Sequence, residues 1–308
     1  MILPATRFAL VLGGAIACAA AQSTIAAAQT YRPSEPVIRA DSGGELTYAD
    51  LVDLALASEL VSRAQVRSAV QIKAEALRGT SDKSGAGTSV AGGAIAPGGA
   101  ARVLIRARNS ALLIGPPLGE SVQFLADVPL GANGKLPKLG KMQVLIMART
   151  VPGKPHTLQL VAPDAMLSWT AERENRLRAI LTALNTPGAP PAVVALREAL
   201  HVRGNLAGEG ETQVFLTTAT GDPISLSVLR RPGQPTTWGV SFTDIVDQAA
   251  RPPERDTLAW YRLACALPRE LPKGTNISEN AADRLIAAQD YALVLAELGV
   301  CARMRAAP

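Results

Sequence analysis

The chain has 308 residues, of which 19% are charged and 48% hydrophobic, and a formal net charge of +5. A balance of 31 Lys and Arg against 26 Asp and Glu is too mild to imply a nucleic-acid partner. With two histidines and three cysteines in the whole sequence, no metal or other cofactor is expected.

The first stretch, "MILPATRFALVLGGAIACAAAQSTIAAAQT", carries one positive charge, Arg7, ahead of an apolar run too short to span a bilayer. It closes on small residues, with Ala26, Ala27 and Ala28 before Gln29. These features read as a secretory signal peptide over 1–28, cleaved after Ala28, which places the mature protein in the periplasm or outside the cell. A lesser alternative is a lipoprotein anchored through Cys18, although Ala15 replaces the usual leucine of that motif. Loss of Arg7 lowers the net charge from +5 to +4. Residues 29–45, with two prolines and a glycine pair, read as a flexible tether.

A helix is expected to open at Thr47, with Asp50 in capping-box position and Leu46 stapled onto Leu51. From Leu60 the period changes to two: Ala64, Val66, Val70 and Ile72 alternate with Arg63, Gln65, Arg67 and Gln71, the pattern of a half-buried strand. The Gly-rich stretch 79–100 reads as a surface loop. Strands resume with Val103, Ile105 and Ala107 opposite Arg102, Arg106 and Arg108, then with Val122, Phe124, Ala126, Val128 and Leu130. "MQVLIMART" and "TLQLV" flank a Pro152-Gly153 turn, which completes a five-strand antiparallel set over 46–163.

The next unit, 164–250, opens with a helix from about Thr170 to Leu184. "VVALREALHV" fits a strand or a helix, and is read as a strand because hairpins follow. "TQVFLTT", "ISLSVLR" and "TWGVSF" complete a four-stranded meander. In 251–308 two helices are expected: one capped by Asp256 and stopped by Pro268, the other starting near Asn276 or Ser278. Leu285, Ala288, Ala292 and Leu295 form the expected inner stripe of the second, and Gly299 its stop. Cys265 and Cys301 are an even pair in an oxidising compartment, without a CxxC motif or a nearby histidine, and read as a disulfide. The fold class is therefore α+β: an antiparallel β-barrel or curved sheet, a helix-plus-meander unit and a C-terminal helical pair.

"YADLVDLALASELVSRAQV", "SLSVLRRPGQP" and "DTLAWYRLAC" resemble segments of a family of secreted proteobacterial proteins. The resemblance implies export and a shared fold over roughly 46–303. That family has no assigned activity and brings no catalytic residues.

Two functional readings follow from the side chains. Arg63, Arg67, Arg102, Arg106 and Arg108 fall on the polar sides of two neighbouring strands, where like charges repel unless solvent or a partner separates them. Arginine forks suit carboxylates and phosphates. This face is expected to take an anionic envelope component or an acidic protein, with Lys135, Lys138 and Lys141 as a possible extension. The preferred function is therefore a non-enzymatic binding or scaffold protein of the cell envelope. The rival is a periplasmic hydrolase in which His201 pairs with Glu198, Glu209 or Glu211 as general base. No G-x-S-x-G elbow accompanies that histidine. His156 sits in a turn beside Lys154, and Asp127, Asp164, Asp222, Asp244 and Asp247 offer no paired-carboxylate signature. Trp169, Trp238 and Trp260 sit in amphipathic patterns and read as core.

Overall fold

In the computed structural model, residues 46–72, 95–96, 99–242 and 250–305 are described. The expected signal peptide, Cys18, the tether, most of the Gly-rich loop, Asp244 and Asp247 lie outside them. The described residues fall within one compact unit, Arg32–Pro308.

Thr47 opens helix α1 (Tyr48–Ala57) with the expected capping box: its hydroxyl accepts from the Asp50 amide at 3.1 Å, and Asp50 accepts from the Thr47 amide at 2.9 Å. The first sheet holds seven strands: β1 (Leu60–Gln71), β2 (Ile95–Ala96), β3 (Ala100–Ile114), β4 (Ser121–Pro129), β5 (Gln143–Thr150), β6 (Leu158–Leu160) and β7 (Met166–Ser168). Its path runs β2-β3-β1-β5-β6, with β4 added to β3 and β7 to β5. The short β7 was not foreseen, because three residues at a unit boundary carry no usable period. Helix α2 (Ala171–Asn185) leads to the second sheet, β8 (Val193–Arg203), β9 (Gly210–Thr218), β10 (Ile224–Arg230) and β11 (Thr237–Ser241), an antiparallel meander. The ambiguous segment is thus a strand. Helices α3 (Leu258–Ala264) and α4 (Ala281–Leu298) follow, and α4 packs on β8 and β9. One apolar cluster runs through both sheets and the helices, from Leu60 and Phe124 to Leu226, Trp260 and Tyr291.

The α+β class holds, with a curved sheet instead of a barrel. Edge strands β4 and β6 lie side by side without a continuous ladder. Among the described residues the seam between them is bridged near its ends, where the Gln123 amide donates to the His156 carbonyl at 2.8 Å and the Asp127 amide to the Pro163 carbonyl at 2.7 Å. Bulges supply the curvature. The β1–β3 register shifts at three places, including Val66↔Ala107 to Ser68↔Arg106, so that Arg67 is an extra residue on β1. That bulge also reverses the phase of β1. Val70, expected to face inward, is 61% exposed.

Three local expectations at the C-terminal end are corrected. Thr257, and not Asp256, caps α3 by accepting from the Trp260 amide, while Asp256 takes a positive φ of 59°. Helix α4 begins later than Asn276 or Ser278, capped by Asn280 with Asp283 at the third position. Its buried stripe is Asp283, Ala287, Asp290, Tyr291, Val294 and Leu298, leaving Leu285, Ala288 and Ala292 exposed. An apolar-only stripe misses this face because two carboxylates lie in it. Gly299 does end the helix, with φ of 70°. Cys265 and Cys301 form the expected disulfide, their Cα atoms 5.1 Å apart. Closing 36 residues is worth about 4 kcal/mol in chain-entropy terms.

Candidate anion-binding site

The five arginines have different fates. Arg63 donates to Glu174 at 3.0 Å and lies over the Trp169 ring, 5.5 Å from its centroid. Burial opposes the charge of Glu174, but donors from Trp169, Arg178 and Arg63 more than offset it and hold its pKa below the usual carboxylate range. Arg102 forks onto Asp127, its direct cross-strand neighbour, with Nη2 to Oδ2 at 3.0 Å. Arg108 pairs with Glu120 at 2.8 Å between two exposed side chains. Each of these three guanidinium groups is neutralised.

Arg67 and Arg106 are not. Among the described residues neither is joined to a carboxylate. The bulge explains why they meet. It places Arg67 between Val66 and Ser68, and Ser68 stands directly opposite Arg106. On its other side Arg106 faces Gln123 of β4. Arg67, Ser68, Arg106, Ser121, Gln123 and His156 surround a half-open cavity of about 400 Å³. His156 comes from the turn between β5 and β6. Its carbonyl is fixed by the Gln123 amide, and its ring lies over Gly119, where a Cβ would come within 3.2 Å of Nδ1. Glycine at that position makes room for the imidazole. The Val66 carbonyl accepts from the Lys141 amide, which brings that segment beside the bulge.

The lining therefore offers two guanidinium forks, two hydroxyls and an imidazole, without a carboxylate, while the Gln123 side-chain amide donates to the Thr157 hydroxyl at 3.2 Å. That donor set matches an anion. A second cavity of about 620 Å³ occupies the β4–β6 seam, and Gln123 lines both. Among the described residues no group of three or more His, Cys, Asp or Glu side chains could hold a metal.

His201 lies elsewhere, buried on β8, and lines neither of these cavities. Its Nδ1 is 2.8 Å from the Thr212 hydroxyl, which donates to Asp290. With that hydroxyl proton committed, Nδ1 is the donor to Thr212, and in the neutral imidazole that burial favours Nε2 carries no proton. Asp290 is fully buried and accepts from Arg230 at 2.7 Å. Burial lowers the His201 pKa, against the pull of Asp290 and Asp283. The three named glutamates have other partners. Glu198 accepts from Arg197, Glu209 from the Asn205 and Leu206 amides, and Glu211 from Gln213. The acid that His201 approaches is Asp290, at 3.9 Å.

Sequence reasoning named Arg67 and Arg106 but could not separate them from the three paired arginines. It missed Ser68, Ser121 and Gln123 and weighed His156 only as a base. The one local signal was the slip in apolar spacing after Val66. It also missed a second buried cluster, in which Asp53 accepts from Arg303 and Tyr261, and Asp50 from the Met304 amide at 3.0 Å. No protein-family model matches this chain, and no curated protein matches it.

Proposed function

We propose that this is an exported, non-enzymatic binding protein of the cell envelope that captures an anionic group between Arg67 and Arg106. The observation that carries this reading is the contrast across two paired strands: three arginines hold carboxylates, and two converge, without one among the described residues, on a cavity lined by further donors. Adjacent like charges destabilise a sheet. A bound carboxylate or phosphate would relieve that repulsion and engage both forks. Export is supported by the leader-like N-terminal sequence and the disulfide. Among the described residues no helix is long and apolar enough to cross a membrane.

Calorimetric titration with butanoate and with butyl phosphate tests the reading. Wild type should bind at least one of them saturably. Arg67→Ala or Arg106→Ala should weaken that binding about tenfold or more, the loss of a hydrogen bond to a charged group. Arg108→Ala should leave it unchanged. Failure of wild type to bind either probe would refute the site.

A further inference from the structure

We infer that the anion captured at Arg67 and Arg106 is the head of a single-chain amphiphile, whose apolar tail lies in the seam between β4 and β6. This inference rests on the anion-binding reading and adds the ligand's second half.

The strand register lays out the chemistry in rows. Arg106 stands between Ser68 and Gln123, the cationic row. One step along the same outward face, Leu104 stands between Val70 and Leu125, an apolar row in which Val70 is 61% and Leu125 43% exposed. The next row is Arg102 opposite Asp127, a satisfied ion pair. At about 3.4 Å per residue, four residues carry the track about 14 Å from the Arg106 row to the Arg102–Asp127 ion pair. C–C bonds of about 1.5 Å in a zigzag advance about 1.25 Å per carbon, so that length suits an extended chain of about ten to eleven carbons.

The cavities follow these rows. The one in the seam has Leu104, Leu125 and Val161 on its walls and shares Gln123 with the cationic cavity. Their volumes, about 620 and 400 Å³, fall within the range of small-molecule pockets, which combine apolar walls with a few polar anchors. The bulge at Arg67 builds both halves at once: it sets Arg67 beside the head position and turns Val70 outward into the apolar row. An added peptide strand would have to break the bonds from Gln123 to His156 and from Asp127 to Pro163 that hold the seam. An alkyl chain breaks neither.

The test titrates the full mature protein with two homologous series, alkanoates and alkyl phosphates from four to twelve carbons, kept below micelle formation. For the head that binds, affinity should rise about threefold to fourfold per methylene, as for a buried CH₂, and level off near ten carbons. Leu125→Gln, at an exposed position, should flatten the series while leaving the four-carbon member unaffected. Arg67→Ala should weaken every member by a similar factor. A flat series in wild type with the four-carbon member still bound overturns the tail and leaves the anion site intact. No binding of any member overturns both. A methyl ester that binds as tightly as its acid shows adsorption without a head site and also overturns the inference.

Discussion

The first sheet and the second each contain a cluster of charged and ring side chains that the sequence marks as candidate chemistry, and they resolve in opposite ways. Around His201 each charged or ring side chain has a partner inside the protein: Nδ1 on Thr212, Thr212 on Asp290, Arg230 on Asp290, Arg203 on Asp283. Around Arg67 and Arg106 the donors face a cavity, and no carboxylate among the described residues answers them. The buried cluster has spent its hydrogen-bonding capacity on packing α4 against β8, β9 and β10. The Arg67–Arg106 cavity keeps its guanidinium donors on an accessible surface, which is what the proposed anion site uses. A site is distinguished here by unmet polar capacity at an accessible surface, since both regions have suitable residue types.

Four perturbations separate the two regions experimentally. The largest effect is expected from Asp290→Ala, which leaves Arg230 and Thr212 without their acceptor. The loss should be about 4 kcal/mol in urea unfolding, as for a broken buried pair, with binding of butanoate or butyl phosphate unchanged. A stable variant that loses anion binding would mean the two regions are one site. Next, replacing Cys265 and Cys301 together by serine should cost up to about 4 kcal/mol, the chain-entropy value for this loop. This loss falls on docking of α4, so hydrogen exchange should accelerate in α4 and β8 and not in β1 or β3.

The third perturbation is pH. The folded His201 pKa lies below its unfolded value of about 6.5 because burial disfavours the imidazolium. The unfolded chain therefore binds more protons below that pH, and the contribution of neutral His201 is fully present above it. Stability should fall as the pH is lowered from 7 towards 5, and His201→Gln should flatten that limb. A second loss follows at lower pH. Hydrogen bonding from Arg203 holds the Asp283 pKa below its usual value, so its stabilisation is present above about 3.9 and lost on further acidification. Stability that rises between pH 7 and 5 would contradict the buried, neutral histidine. The smallest effect is expected from Arg108→Ala. It removes an exposed pair with Glu120 and should change stability by less than about 1 kcal/mol.

Much of the fold was legible because its signals are local. The Thr47–Asp50 box, the alternation of β4 and the turns of the meander each depend on residues within a few positions. The disulfide was legible from cysteine count and compartment. The inner face of α4 was not, since Asp283 and Asp290 enter it only because Arg203 and Arg230 wait on neighbouring strands. The candidate site was half legible for a similar reason. All five arginines alternate on polar faces, but the partners that neutralise three of them come from distant or adjacent elements: Glu174 from α2, Asp127 from β4, Glu120 from the turn before it. The seam was invisible, because it depends on how far bulges curl the sheet before β4 meets β6.

Of the five strand arginines, only Arg67 and Arg106 hold no carboxylate among the described residues, and the proposed site requires that these two alone take up the anion. Arginine Nε–H resonances followed by NMR during a titration with butyl phosphate or butanoate test it most directly. Saturable shifts are expected at Arg67 and Arg106, with Arg63, Arg102 and Arg108 unmoved and the His201 ring unperturbed. Shifts spread evenly over all five arginines, or centred on His201, would contradict it.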